Sequence, residues 1–323
     1  MDKYGRNKLA TEVAQLKQRI HELETKCIAR TLETSNRVYR PPGLNVQDFS
    51  LKPGMDKDYQ CISEVMPKDT VYITVLREPV VMYESGFTYM HLGNRYHLND
   101  TNALEMFLRD PDGYFLSNSN KGRVKNPMLY DLGFDPIHMY NMTKINMKIQ
   151  ELDRIFKVVL IAEYFDESLI LLKEIMCWEM EDIVYFKLNS RDKSSVHRIS
   201  PGMAKQIRKF NAGDVKLYNH FNDLLQRAIN KFGRKRMAVE TAKLKHRTHE
   251  IETRCIAGTV LNSARVFKPA GIKVQDFNLK QGMEKDYQCT SMTLPELKYT
   301  DKVREHLYSK IRNYTDEHSP DVA

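Results

Sequence analysis

The stretch that decides the fold runs from Thr70 to Ser85 and reads TVYITVLREPVVMYES. Its first seven residues are β-branched or apolar and are bounded by charge, which predicts a buried strand over Thr70–Leu76. Pro79 then stands where the first turn of a helix tolerates proline best, so the pattern predicts a helix to about His91. A strand that runs directly into a helix indicates an α/β fold.

The segments downstream of this stretch continue the alternation of strands and helices. The same patterns predict strands at 156–162 and 183–188, helices at 104–108, 167–176 and from Pro201 onward, and a polar loop over 93–127. Strands that alternate with helices predict a mostly parallel sheet with helices on its faces.

Arg77 and Ser85 are the candidate ligand-binding residues. In open α/β sheets ligands bind at the carboxyl ends of the strands, where Arg77 is expected, and Ser85 follows two helical turns later. A guanidinium and a hydroxyl together suit a phosphate group. The alternative is a surface ion pair between Arg77 and either Glu78 or Glu84. Glu163, Asp166 and Glu167 follow the second strand, where a carboxylate could orient a substrate. Favourable charge at a helix N-terminus is the preferred interpretation of Asp166 and Glu167.

An internal repeat dominates the organisation of the chain. Residues 3–61 align without a gap with residues 231–289, and 35 of the 59 aligned pairs are identical. Each copy opens with an amphipathic helical pattern and continues into a Pro- and Gly-broken tail that we predict to be irregular. The predicted segments are the first copy at 1–62, the α/β core at 63–230, the second copy at 231–291 and a polar tail at 292–323.

The composition of the chain excludes several classes of protein. The 323 residues include 50 Lys and Arg against 42 Asp and Glu, which gives a net charge of +8. No apolar run approaches the roughly 18 residues that span a bilayer. The densest basic cluster is Lys231, Arg234, Lys235 and Arg236 on a helical pattern. It holds a single aromatic residue, Phe232, rather than the series of aromatics that stack on bases, so we predict no nucleic-acid partner. His246, His249 and Cys255 have metal-like spacing, but a solvated helix is the preferred interpretation and no metal is predicted.

Three quoted stretches resemble one family of enzymes. VYITVLREPVVMYESGFTYM, NPMLYDLGFD and VVLIAEYFDESLILLKEIMCWEMEDIVYFKLNSR are similar to segments of the galactose-3-O-sulfotransferases, and the resemblance covers about residues 64–289. It implies a fold like that of the P-loop nucleotide kinases and 3′-phosphoadenosine 5′-phosphosulfate (PAPS) as sulfate donor. It also implies that Arg77 and Ser85 hold the 3′-phosphate of PAPS, and that the acceptor is a galactose-terminated glycolipid or glycan.

The sequence departs from the family pattern upstream of Thr70. The membrane anchor, the Lys-bearing loop for the 5′-phosphosulfate and the expected catalytic base are not found there, so we expect the fold to be incomplete at its N-terminus and name no catalytic residue. The alternative hypothesis is an inactive truncated paralogue, or a mis-joined gene model, that acts at most as a nucleotide- or partner-binding module.

The resemblance also places the protein in the Golgi apparatus, with membrane association although the chain shows no anchor. Four of the five cysteines belong to the repeats, and an oxidising lumen would favour one disulfide in each copy, Cys27–Cys61 and Cys255–Cys289, with buried free thiols as the alternative. N-glycosylation motifs stand at Asn99, Asn141 and Asn313. A homo-oligomer is left open.

Overall fold

The computed structural model describes residues 28–32, 48–51, 70–98, 102–117, 122–188, 190–261, 263, 272–295, 298–306 and 309. The chain divides into two compact units, one formed by Met1–Val71 with Asp131–Asp135 and the other by Tyr72–Tyr130 with Pro136–Ala323. The four segments predicted from the sequence were divided at the ends of the repeat copies and not by compactness, and they stay predictions.

The described secondary structure is mixed, with many helices and short strands. The strands are β1 (Ile28–Leu32), β2 (Asp48–Leu51), β3 (Tyr72–Leu76), β4 (Phe156–Ile161), β5 (Ile256–Leu261) and β6 (Gln275–Leu279). The helices are α1 (Pro79–Tyr89), α2 (Leu92–Arg95), α3 (Ala103–Arg109), α4 (Pro111–Ser117), α5 (Pro127–Asp131), α6 (Met142–Ile155), α7 (Phe165–Met176), α8 (Pro201–Phe210), α9 (Ala212–Phe232), α10 (Arg234–Cys255) and α11 (Tyr287–Met292).

The decisive strand and helix form as predicted, with one correction. β3 pairs in parallel with β4, from Tyr72 opposite Phe156 to Leu76 opposite Ile161. β3 is not a fully buried strand, because Ile73 and Val75 are 46% and 53% exposed. β4 is buried throughout except at one lysine, since α7 and α9 pack against it. β3 is therefore the exposed member of the pair and β4 the core member.

Three further predictions were wrong. Residues 183–188 do not form a strand: Ile183 ends a 3₁₀ turn, and Phe186 is buried without pairing to a neighbouring strand. The predicted loop at 93–127 contains the predicted helix at 104–108 and also further short helices, which escaped prediction because they are too short to show full helical periods. The tail of the second copy is not irregular, because β5 and β6 pair in it.

The sheets only partly match the predicted class. The described strands form three two-stranded sheets, of which β3–β4 is parallel while β1–β2 and β5–β6 are antiparallel. A mixed α/β architecture with small sheets is therefore what the structure supports. The mostly parallel sheet and the P-loop-kinase-like fold stay predictions.

Long C-terminal helices supply much of the core around β4. α9 buries one stripe, formed by Leu217, Phe221, Leu225 and Ile229. The helical pattern of the second copy predicts a stripe that also includes Thr248, which is only half-buried. α10 buries the other members of that stripe, namely Met237, Thr241, Leu244, Ile251 and Cys255. Gly233 separates the two helices with φ at +98°, a backbone conformation that favours glycine.

The two copies of the repeat form the same hairpin. In β1–β2, Ile28 pairs with Leu51, and the register shifts before Arg30 pairs with Ser50. In β5–β6, Ile256 pairs with Leu279, and the register shifts before Gly258 pairs with Asn278. These pairs match residue for residue at the offset of 228 that relates the copies. We call β1–β2 the first hairpin and β5–β6 the second hairpin.

Candidate functional site

The carboxyl ends of the two parallel strands lie side by side. β3 ends at Leu76 and β4 at Ile161, and these two residues are paired. Arg77 and Glu78 follow the first strand, and Glu163 follows the second. Side chains from both strand ends therefore share one edge, which is where open α/β sheets bind their ligands.

Glu78 caps the start of α1 and also forms an ion pair with Arg208 of α8. One of its carboxylate oxygens, Oε2, accepts from the backbone N–H groups of Val80 and Val81 at 2.9 and 3.1 Å. This caps the helix, because the first N–H groups of a helix have no partner within it. The other oxygen, Oε1, lies 2.9 Å from Nη2 of Arg208. Glu78 thus joins the strand end to two helices.

Glu163 joins the second strand end to the first. Its Oε1 accepts from the backbone N–H of Glu78 at 3.0 Å, and its Oε2 accepts from the hydroxyl of Tyr218 at 3.1 Å. Burial, together with the charge of Glu163, raises the pKa of the Tyr218 hydroxyl, so Tyr218 remains the donor. We call Glu78, Glu163, Arg208 and Tyr218 the edge network.

Arg77 lies next to this network and outside it. Its side chain is exposed and has no hydrogen-bond or ion-pair partner among the described residues. The alternative ion pair with Glu78 or Glu84 is therefore not observed, because these carboxylates bind Arg208 and Arg191 instead. The arrangement leaves the Arg77 guanidinium available for an anion.

Ser85 lies on α1 beside a buried ion pair. The neighbouring Glu84 has a side chain that is only 3% exposed, and it binds the guanidinium of Arg191 through both oxygens. The same carboxylate accepts from the backbone N–H of His197 at 3.1 Å. Because a buried charge is stable only when it is paired, Glu84 fixes the segment around Arg191 against α1. Ser85 is half-buried and makes no hydrogen bond through its hydroxyl with the described residues.

The two candidate residues have side chains without a partner among the described residues. Arg77 presents an exposed guanidinium and Ser85 a half-buried hydroxyl on α1. Glu78 and Glu84 pair with arginines, whereas Glu163 is held by hydrogen bonds alone. The sequence pointed to Arg77 and Ser85 and singled out Glu163 only as a strand-end carboxylate. The rest of the edge network was missed. Glu78 and Arg208, for example, lie 130 residues apart in the chain, and no local pattern connects them.

The other predicted site residues fall in several places. Cys255 and Cys289 are joined by a disulfide, with a Cα–Cα distance of 5.3 Å. Asn141 is exposed at the start of α6, where its side chain accepts from the backbone N–H of Lys144. The remaining predicted sites lie outside the described residues, namely Cys27, Cys61, Asn99 and Asn313.

The described residues also bear on metal binding and on membrane spans. Among them, no group of three or more His, Cys, Asp or Glu side chains is arranged to hold a metal ion. His246 instead pairs with Glu250, and Cys255 is in the disulfide. None of the helices in this part of the chain combines the length and the apolar character that a bilayer span needs.

The fold and the site define an α/β protein that presents an exposed arginine at the carboxyl edge of a parallel strand pair. The family model described as galactose-3-O-sulfotransferase matches residues 51–307. The chain therefore belongs to the galactose-3-O-sulfotransferase family, a family of enzymes. No solved structure matches the chain.

Named relatives show how much of such an enzyme the chain covers. It is 36% identical over 255 residues to the galactosylceramide sulfotransferase of Homo sapiens, a match that covers 75% of this chain and 60% of that protein. It is 32% identical over 252 residues to galactose-3-O-sulfotransferase 2 of Homo sapiens, covering 74% of this chain and 63% of that protein. The chain thus spans between 60% and 63% of the length of these two relatives.

Proposed function

We propose that this protein is a sulfotransferase that transfers sulfate from PAPS to the 3-hydroxyl of a terminal galactose on a glycolipid or a glycan. The observation that carries the proposal is the family match over residues 51–307, which includes both strand ends and the whole edge network. The names of the relatives favour galactose as the acceptor sugar, and a galactosylceramide-like glycolipid as one class of acceptor.

Arg77 and Ser85 are the residues that we propose to bind the 3′-phosphate of PAPS. The structure supports this because Arg77 is exposed and unpaired among the described residues, while Glu78 and Glu84 are neutralised by Arg208 and Arg191. An arginine beside unpaired carboxylates would bind those carboxylates instead of a phosphate. Here the competing carboxylates are already occupied, so the guanidinium can bind a dianion.

The proposed reaction requires binding, orientation and removal of a proton. When bound, PAPS supplies an activated sulfuryl group, and transfer to the galactose oxygen leaves adenosine 3′,5′-bisphosphate. Arg77 and Ser85 would hold the nucleotide so that the sulfuryl group faces the acceptor, which reduces the entropic cost of bringing the two together. The proton of the acceptor hydroxyl needs a base, and the described residues give no assignment for it.

The compartment we propose is the lumen of the Golgi apparatus. The Cys255–Cys289 disulfide supports an oxidising compartment, because such bonds are rare where glutathione keeps thiols reduced. Asn141 supports the same route, since its motif for N-glycosylation is exposed. Association with the Golgi membrane is part of the proposal and follows from the family alone.

The test combines nucleotide binding with transfer in the full chain. We expect Arg77→Ala to weaken binding of adenosine 3′,5′-bisphosphate by about 10- to 100-fold, the range for losing hydrogen bonds to a charged group. Transfer of labelled sulfate from PAPS to galactosylceramide or lactose should fall with it. Calorimetry measures the first effect and product counting the second.

The matched control is Arg227→Ala, which removes an exposed arginine from the far half of α9 and should change neither measurement. Wild-type protein that transfers no sulfate to any galactose-terminated acceptor would contradict the proposed reaction. Binding that is equally strong in the Arg77→Ala variant would contradict the proposed nucleotide site.

A further inference from the structure

We propose that Glu163 is a positioning residue for the phosphate-binding Arg77, an inference that rests on the proposed function. Glu163 follows β4 and Arg77 follows β3, so the two are distant in sequence and are brought to one edge by the parallel pairing of Leu76 with Ile161. Glu163 does not bind the Arg77 guanidinium. Glu163 instead holds the backbone to which the Arg77 side chain is attached.

The contact that does this is the hydrogen bond between the N–H of Glu78 and Oε1 of Glu163, at 3.0 Å. That N–H belongs to the peptide bond between Arg77 and Glu78. A peptide unit is planar, so fixing its N–H direction also fixes the backbone rotation at Arg77. The rotation sets the direction in which the Arg77 side chain leaves the main chain.

Glu163 is itself held in place, which is what a positioning residue requires. Tyr218 on α9 donates to its other oxygen at 3.1 Å, so both carboxylate oxygens are engaged. Arg208 on α8 binds the Glu78 side chain at 2.9 Å. The peptide after Arg77 is therefore held by the residue that follows β4, with support from α8 and α9, although Arg77 itself is exposed.

The expected consequence is selectivity for one phosphate of the nucleotide. Arg77 is proposed to bind the 3′-phosphate. Misdirecting its side chain should therefore weaken the binding of adenosine 3′,5′-bisphosphate but not that of adenosine 5′-phosphate, which has no 3′-phosphate. A purely structural role for Glu163 would affect both nucleotides alike. The ratio of the two affinities therefore separates the two roles.

The experiment is a double-mutant cycle on the full chain, read by calorimetry with both nucleotides. We expect Glu163→Ala to weaken the binding of the bisphosphate by about five- to tenfold, as for the loss of a hydrogen bond to a charged group that is exposed to water. Its effect on adenosine 5′-phosphate should stay within about twofold. In an Arg77→Ala background the same change should cause no further loss, because interacting residues are not additive.

Two variants complete the design. Glu163→Gln keeps an oxygen that can accept from the Glu78 N–H, so it should restore most of the affinity for the bisphosphate. Glu174→Ala removes an exposed carboxylate of α7 that pairs with Arg236, and it should leave both affinities unchanged.

Equal losses for the two nucleotides, or additive losses in the double variant, would overturn the positioning role of Glu163. Two other outcomes would contradict the proposed nucleotide site itself. If the wild-type chain binds the two nucleotides equally well, or if Arg77→Ala has no effect, the proposed nucleotide site is wrong and this inference falls with it.

Discussion

The first and second hairpins have the same register and the same irregularity, yet their sequences are not identical. Arg30 and Ser50 pair in the first hairpin where Gly258 and Asn278 pair in the second. The pairing therefore does not depend on these side chains. The comparison shows that the local sequence common to both copies is enough to set the strand register.

The surroundings of the second hairpin come from outside the repeat. Phe277 of β6 packs on Phe186, with ring centroids 5.7 Å apart. The backbone N–H of Gln275 donates to the carbonyl of Ser190 at 2.9 Å. Phe186 and Ser190 lie before the second copy and are not part of the repeat. The second hairpin is therefore attached to a segment that the repeat does not contain.

The largest effect should come from breaking the covalent link in the second copy. Cys289→Ser removes the disulfide to Cys255, which closes a sequence separation of 34 residues, and should lower the free energy of unfolding. We expect about 4 kcal/mol, because the open chain gains entropy in the unfolded state. Denaturant unfolding without reductant measures this loss.

The control for this variant is Cys177→Ser, which removes the exposed free thiol and should leave stability unchanged. Non-reducing peptide mapping extends the comparison to the first copy, where a Cys27–Cys61 peptide is predicted by the repeat. A Cys289→Ser variant as stable as wild type would show that the disulfide does not support the second hairpin.

A smaller effect should follow from removing an aromatic contact of the second hairpin. Phe277→Ala should lower the free energy of unfolding by about 2 kcal/mol, since Phe277 is only partly buried against Phe186. The variant Phe277→Leu keeps an apolar side chain against Phe186 and should lose less stability. Thermal unfolding of the two variants side by side tests this, and equal losses would show that the contact with Phe186 is not the cause.

The smallest effect concerns the helix that follows the second hairpin. Asp286 caps α11, since its carboxylate accepts from the backbone N–H of Cys289 at 2.9 Å. Asp286→Ala should cost about 1 kcal/mol, the usual value of such a cap. Asp286→Asn keeps an accepting oxygen and should recover most of the loss in the same denaturation experiment. If both variants lose the same stability, the cap is not the cause.

Strong local signals were sufficient for part of the fold. The strand and helix around Arg77, the strand at 156–162 and the long C-terminal helices show clear patterns and were predicted. The segment 183–188 misled the prediction, because an apolar run signals burial and not pairing. Phe186 is buried against the second hairpin rather than within a sheet.

The candidate site was predictable only where a single residue carried its own signal. Arg77 stands out because it follows a strand and precedes Pro79. Its neighbours could not be assigned from sequence, since Glu78 could equally have paired with Arg77 itself. Only the fold shows that Arg208 takes that carboxylate and that Glu163 holds the peptide between them.

The edge network has a consequence for how the protein is made. The contact between Glu78 and Glu163 closes 85 residues of chain, and the contact between Glu78 and Arg208 closes 130. Such long closures cost entropy before they contribute stability, and they slow folding. During synthesis Arg77 leaves the ribosome long before Glu163, Arg208 and Tyr218 exist. The edge network is therefore completed late in translation, and a chain that stops before Tyr218 cannot assemble it.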